Sequence, residues 1–179
     1  MTNVFHYTKG YNITAILQSG EIKREGDAGA YVGLATSSAN IWQTERQVWL
    51  TTEMEIPFTA CPCIGRRVGV NEFALYQREP NRGYKKWAHL AKGAFRFSFS
   101  AEEIDAVKYV NGKVQSQLEK NGMREVFELV AELGNDDIQQ WYHTNRAVSL
   151  TKCIGVEMWK RDYGWKHVTM DFLKLQYAA

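Results

Sequence analysis

Cysteine is scarce in this sequence, and the few thiols present do not form a metal-binding pattern. Cys61 and Cys63 make a CPC pair, but no second pair follows that would complete a tetrahedral zinc site, and Cys153 stands apart. The 4 histidines show no HxH or HxxxH spacing. We therefore predict no metal site and interpret the thiols as small packed side chains.

Long apolar runs and a strong charge of one sign are also missing. No run of about 18 apolar residues is present, so no transmembrane helix is predicted. The chain starts with polar MTN rather than with the basic and then apolar layout of a signal peptide. The formal net charge of +2 is too small to indicate nucleic acid or an anionic membrane as a partner. We expect a cytoplasmic protein without membrane contact.

The common catalytic motifs are absent as well. The sequence contains no GxxxxGK[ST], no GxGxxG after a strand and no GxSxG, so phosphate-cradling loops and the hydrolase nucleophile elbow have no support. No local signature singles out a Ser/His or Cys/His pair either. Neither a phosphate-binding loop nor a serine or cysteine nucleophile is therefore predicted.

The composition is that of an ordinary folded domain with many aromatic residues. The 179 residues are 45% apolar and 23% charged, which predicts a single domain over residues 1–179. Aromatic residues make up 13% of the chain and include 6 tryptophans. Such an excess suits a cleft for a ring-bearing ligand, and it equally suits an aromatic core.

Periodicity predicts an α+β domain with a mixed or antiparallel sheet and a few helices, because the elements alternate too irregularly for a doubly wound sheet. Strands are predicted at residues 4–8, 47–52 and 94–100, a helix from residue 123 onward and a terminal β-hairpin around residues 162–164. Asn12 is predicted to cap a first helix that ends at Ser19-Gly20. Arg96 and Ser98 alternate with three phenylalanines, which predicts a half-buried strand.

Three polar clusters interrupt or follow β-forming runs. They are His6-Tyr7-Thr8, Thr51-Thr52-Glu53 and Gln139-Gln140-Trp141-Tyr142. Polar groups at strand ends often point into a cleft, so the three clusters could line one pocket. They could equally be ordinary strand exits.

The order of these segments resembles the ADP-ribosyltransferase fold of the diphtheria-toxin-like branch, which includes small bacterial and phage DNA-targeting toxins. The resemblance rests on HYT and the helix ending SGEIK, then VWLTT, FRFSF and finally QQWY with VSLTKCIGVE. It implies an ADP-ribosyltransferase-like fold, nucleotide binding with NAD as the substrate, and transfer of ADP-ribose to a protein or nucleic acid.

The resemblance also implies roles for individual residues at the NAD site. In that family a histidine on the first strand binds the ribose and carboxamide end of NAD, and the match is His6. A later strand holds the nicotinamide ring. The residues that the resemblance places in contact with NAD are His6, Tyr7, Thr8, Tyr31, Trp49, Thr51 and Thr52.

The catalytic position departs from the family pattern. Members that transfer ADP-ribose have a glutamate at the start of a late strand, where its charge stabilises the oxocarbenium-like transition state. Gln140 stands near that position, and an amide bonds a hydroxyl without supplying charge. A carboxylate would have to come from Glu132, Asp136 or Asp137 upstream, or from Glu157 downstream. His6, Gln140 and Glu157 are therefore the predicted catalytic residues, and a catalytically weak or inactive binding module is the alternative.

The acceptor is predicted to meet a basic and aromatic stretch in residues 57–92. Arg66 and Arg67 lie in this stretch and, with Trp141, are the predicted acceptor contacts, because basic and aromatic residues together hold nucleic acid. A solvated loop is the simpler interpretation. Transfer of an RNA 2′-phosphate on a related fold has less support, since only this one arginine pair could frame a phosphate.

Overall fold

The computed structural model describes residues 1–24, 47–55, 93–122, 124–134, 136–160 and 163–177. The predictions that concern Tyr31, Cys61, Cys63, Arg66 and Arg67 lie outside these residues.

Short strands and helices alternate along the chain. The strands are β1 (Asn3–Lys9), β2 (Glu21–Ile22), β3 (Val48–Thr51), β4 (Ala94–Ser100), β5 (Val107–Lys108), β6 (Trp141–Thr144), β7 (Val148–Ser149), β8 (Gly155–Lys160) and β9 (Gly164–Val168). The α-helices are α1 (Gly10–Ser19), α2 (Lys113–Lys120), α3 (Arg124–Gly134) and α4 (Met170–Tyr177). Single 3-10 turns lie at Ile138–Gln140 and Leu150–Lys152.

The strands form a 7-stranded sheet in the order β5-β6-β3-β1-β4-β8-β9, and β2 pairs separately with β7. Every recorded pairing is antiparallel. The predicted α+β class is confirmed, and the predicted terminal hairpin appears as the β8–β9 pair.

One face of the sheet carries the main hydrophobic core. Phe95, Phe97 and Phe99 alternate along β4 toward this face, and each is fully buried. The apolar sides of α1 and α4 cover them, through residues such as Ile13 and Leu173. The second face has its own smaller cluster near β5 and β6, where Tyr109, Val114, Leu118, Ala131 and Trp141 pack together.

The first helix begins earlier than its sequence predicts. The cap prediction for Asn12 is wrong, because Lys9 is the N-cap and makes no side-chain cap bond. Pairing with β4 holds β1 extended up to Lys9, and the Gly10 N–H then donates to the Gly93 carbonyl at 2.9 Å, so the sheet sets the start of the helix. The predicted end is confirmed, since Gly20 adopts a left-handed φ of 70° and its N–H donates to Ile16.

Two further predictions are corrected by tertiary packing. The strand at residues 94–100 is not half-buried, because Arg96 is only 3% exposed on the face opposite the phenylalanines. The chain does not end in β-structure, because α4 follows β9. Met170, Leu173 and Tyr177 recur at helical spacing and pack on the main core, which stabilises this last helix.

The start of the chain is held by a carboxylate at the far end of β4. Glu102 accepts hydrogen bonds from the Thr2 backbone N–H at 3.0 Å and from the Ser100 hydroxyl at 2.8 Å. These bonds, led by one from its own backbone N–H, lower the pKa of Glu102 to about 2. The ionised carboxylate therefore secures Thr2, the residue before β1, to the turn after β4.

This contact gives a pH-dependent prediction. Because the folded pKa of Glu102 is below the usual 4.5, its contribution is complete above pH 4.5 and is lost as the pH falls toward about 2. Urea midpoints of the wild type and E102Q should therefore differ at pH 6 and converge between pH 4.5 and 2. E103Q, at the exposed neighbouring residue, is the control and should follow the wild type. A difference that stays constant down to pH 2 would contradict the assignment.

Candidate functional site

The central strand β1 is bound unequally by its two neighbours. Its pairing with β4 covers all seven residues from Asn3 to Lys9, whereas within residues 3–9 and 48–51 it is in register with β3 only at Phe5 and Thr51. The register of β1 with β3 therefore does not continue beyond Phe5. We call the stretch between residues 6–9 of β1 and residues 48–50 of β3 the fork, and His6 is its first residue.

The His6 side chain spans the fork. Its Nδ1 lies 3.0 Å from the Trp49 carbonyl oxygen of β3. Because a carbonyl only accepts, Nδ1 carries the proton in this contact. Burial lowers the pKa of His6, and the bond to Trp49 opposes that shift. The imidazole is therefore neutral near pH 7, and its Nε2 is a hydrogen-bond acceptor on a half-buried side chain.

Thr52 and Gln140 lie on the same face of the sheet as His6. Phe5 pairs with Thr51 and Thr51 with Trp141, so the residues next to them, His6, Thr52 and Gln140, point to the opposite face from these three. The Thr52 hydroxyl donates to Gln140 Oε1, and the Thr52 backbone N–H donates to the Gln140 carbonyl at 3.0 Å. Gln140 Nε2 in turn donates to Asp137 Oδ2 at 3.3 Å. The orientation of the Gln140 amide is thus determined at both ends.

The opposite face holds a cluster centred on Arg96. Arg96 Nε donates to Glu157 Oε2 at 2.6 Å, and Nη1 donates to the Tyr7 hydroxyl at 3.4 Å and to the Met54 carbonyl. The guanidinium also lies 4.8 Å from the Phe5 ring centroid and 4.7 Å from that of Trp165. Burial raises the pKa of Tyr7 to about 12, so its hydroxyl stays protonated. Arg96, Glu157, Tyr7, Phe5 and Trp165 are called the Arg96 cluster below.

The predicted site residues divide between the two faces. His6, Thr8, Thr52 and Gln140 share one face, as the pairing of Thr8 with Phe95 and of His6 with Phe97 requires. Tyr7, Trp49, Thr51, Trp141 and Glu157 lie on the other. Trp49 packs within 6.2 Å of the Tyr109, Trp141 and His143 rings, measured between centroids. The register therefore places His6 and Gln140 on the same face but on opposite sides of the Phe5–Thr51 pair, and it places Glu157 on the other face.

Two carboxylates, one after β3 and one in the turn before β6, are bound to the segment that ends at Gln140. Glu53 Oε1 accepts the Asp137 backbone N–H at 3.0 Å, and Asp137 Oδ1 accepts the Gln139 N–H at 2.9 Å. The upstream candidate Glu132 is an exposed residue of α3. The sequence placed Glu53 in a polar cluster without assigning it a role, because only the pairing of β3 with β6 brings it to Asp137.

Within the part of the chain that the structure describes, no group of three or more His, Cys, Asp or Glu side chains is arranged to hold a metal ion. None of the helices in the same ranges has the length and apolar character needed to cross a bilayer.

Comparisons with known proteins found no relative of this chain. No protein-family model, no curated protein sequence and no solved structure matches the chain.

Proposed function

We propose that this protein is a mono-ADP-ribosyltransferase with an ADP-ribosyltransferase-like fold, which binds NAD as its substrate at the fork and passes ADP-ribose to a protein or nucleic acid. The proposal starts from the ordered motifs of the sequence. The geometry around His6 is the observation that supports it best.

A neutral imidazole with Nε2 as acceptor suits a ribose hydroxyl. Since Nδ1 is bound to the Trp49 carbonyl, the ring is oriented and its tautomer is determined before any ligand arrives. A hydroxyl of NAD would donate to Nε2, and the Thr52 hydroxyl and the Gln140 amide, which are bound to each other, lie on the same face of the sheet beyond the Phe5–Thr51 pair. A polar group whose orientation is fixed before the ligand binds is typical of a site that orients a small molecule.

In the proposed reaction the bond between the ribose anomeric carbon and nicotinamide breaks, and nicotinamide leaves with the bonding electrons. The acceptor atom then bonds to the anomeric carbon and loses its proton. The positive charge that grows on the ribose ring needs stabilisation, and the neutral Gln140 supplies none.

The absence of charge at Gln140 favours a second candidate function. Glu157, the predicted downstream carboxylate, is bound to Arg96 on the other face of the sheet. A protein with this arrangement could hold NAD or an ADP-ribosyl group, or bind another protein, without catalysing transfer. This binding module is the alternative proposal.

Labelled NAD and a cell extract distinguish the two functions. For a transferase we expect label on a macromolecule, with the label reduced at least about 100-fold in H6A, since His6 would orient the reacting ribose. For a binding module we expect calorimetric binding of NAD that H6A weakens, and no label transfer.

H167A is the matched control, because His167 is an exposed histidine of β9 far along the sheet from β1. It should behave as the wild type in both assays. If the wild type neither binds NAD nor transfers label, or if H6A and H167A have the same effect, both proposals are wrong.

A further inference from the structure

The two edges of the main sheet differ in length. Within the residues that the structure describes, β5 and β9 each have a single neighbouring strand, β6 and β8 respectively. The β5 edge is only two residues long, whereas β9 extends over the five residues Gly164–Val168. In an antiparallel pair, alternate residues direct their backbone N–H and C=O groups away from the neighbouring strand. The outer side of β9 is therefore a template for a further strand.

The side chains in the middle of β9 leave this edge accessible. Lys166 and His167 are both exposed, and as successive strand residues they lie on opposite faces of the sheet. Lys166 is in register with Met158, which packs on the main core, and His167 is in register with Glu157 of the Arg96 cluster. A strand added at this edge would therefore lie beside both exposed side chains.

The charge at this edge is positive. Lys160 is an exposed residue at the end of β8, and the register of β8 with β9 places it on the same face as Lys166. The carboxylate of Glu157 is already bound to Arg96 at 2.6 Å. Two copies of β9 paired with each other would bring lysines together, because both strands carry the same charge. The lysines therefore disfavour a second copy at this edge and favour an acidic strand.

The aromatic residues of the same hairpin favour a peptide over a nucleic acid. Trp159 and Trp165 are half-buried, and their rings pack edge to face with centroids 5.5 Å apart. Tyr163 is 74% exposed, but the Lys166 ammonium lies 5.8 Å from its ring centroid. Single-stranded nucleic acids bind by stacking successive bases on exposed rings. One exposed ring with a cation beside it, in the described part of the hairpin, is a poor platform for such stacking.

We propose that β9 is a docking edge for an extended acidic segment of another protein, which adds to the sheet as a further strand. Backbone hydrogen bonds to β9 supply the affinity, and carboxylates beside Lys160 and Lys166 supply the specificity. The contact involves neither His6 nor NAD, so it is independent of the proposed transferase function.

Fluorescence anisotropy with a labelled peptide and the full chain tests this docking edge. The probe is a peptide of about ten residues in which glutamate and valine alternate, a length within the usual range of strands. The same peptide with a methyl group on every backbone nitrogen keeps its charge but cannot pair as a strand. We expect the unmodified peptide to bind, and the methylated peptide to bind at least about 10-fold more weakly.

Charge reversal at the edge tests the role of the lysines. K166E should weaken binding of the unmodified peptide at least about 10-fold, because like charges then face each other. K166Q removes the charge without reversing it and should weaken binding by a smaller factor. K108E is the matched control, since Lys108 is an exposed lysine of β5 at the opposite edge of the sheet, and its ammonium also lies near a tyrosine ring. It should keep the wild-type affinity.

Hydrogen exchange locates the bound peptide. The backbone amides of β9 should exchange more slowly in the complex, and those of β5 should not change. The proposal is overturned if the wild type does not bind the peptide, if the methylated peptide binds equally well, or if K166E and K108E have equal affinities. Displacement of the peptide by a single-stranded thymidine oligonucleotide, or protection of β9 in a dimer of the wild type alone, would identify a different occupant and would overturn it as well.

Discussion

Replacing Arg96 with methionine is expected to lower the free energy of unfolding by about 3 kcal/mol. The change leaves the Glu157 carboxylate without its partner at 2.6 Å and removes the donor to the Met54 carbonyl. It also removes the cation from between the Phe5 and Trp165 rings. Loss of one member of a buried ion pair costs about 3–5 kcal/mol, and the lower end applies because the Glu157 side chain is 27% exposed.

Urea unfolding of four proteins measures the loss of stability and shows whether the Arg96–Glu157 ion pair causes it. The wild type, R96M, E157M and the double variant R96M/E157M form a double-mutant cycle. The double variant should be more stable than R96M, because R96M leaves the Glu157 carboxylate without a partner, whereas the double variant has apolar side chains at both positions and no unpaired charge. If R96M has the wild-type urea midpoint, or if the double variant shows only the sum of the single losses, the pair does not stabilise the fold in this way.

Replacing Phe97 with alanine is expected to cost about 3–5 kcal/mol, the largest effect of any single change proposed for this protein. Phe97 is fully buried at the centre of the sheet, in register with His6 on one side and with Val156 on the other. Its removal leaves a cavity that α1 and the sheet cannot fill without moving. A loss of this size is a large fraction of the total stability of about 5–15 kcal/mol for a typical domain.

The thermal midpoint and the urea midpoint of F97A should both fall sharply. F172A is the matched control, since Phe172 lies on α4 with 37% of its surface exposed and should cost much less. Because Phe97 pairs with His6, the F97A variant should also weaken any ligand bound at the fork. Equal midpoints for F97A and F172A would contradict the assignment of this face of β4 to the main core.

Arg96 and Phe97 lie on opposite faces of β4. Only one of these two faces could be predicted correctly from the sequence. The alternation of phenylalanine with Arg96 and Ser98 correctly predicts a strand and the face that packs on the core. It also suggests a solvated second face, because an arginine is rarely buried. The burial of Arg96 follows from Glu157, Phe5 and Trp165, which belong to three other strands, and no local pattern contains that information.

The helices show the same division between local and distant causes. Asn121-Gly122 is a turn-forming pair within the sequence, and Gly122 adopts a left-handed φ of 66° between α2 and α3. A glycine adopts a left-handed conformation without steric strain, and this preference does not depend on distant residues. The sequence alone is therefore enough to predict a turn at this position. The start of α1 depends instead on how far β1 pairs with β4, which lies some ninety residues away along the chain, so the cap prediction at Asn12 was wrong.

The sequence alone determined the α+β class, most strand positions and the polar clusters from which the site is built. It did so because periodicity, turn residues and helix ends act over a few neighbouring residues. Only the tertiary structure decided which polar groups share a face. The register of β1, β3 and β6 places His6, Thr52 and Gln140 on one face and brings Glu53 to Asp137, and the register of β4 with β8 pairs Glu157 with Arg96 on the other face. A shift of one residue in that register would exchange the two faces, and register is set by long-range packing rather than by any local stretch of sequence.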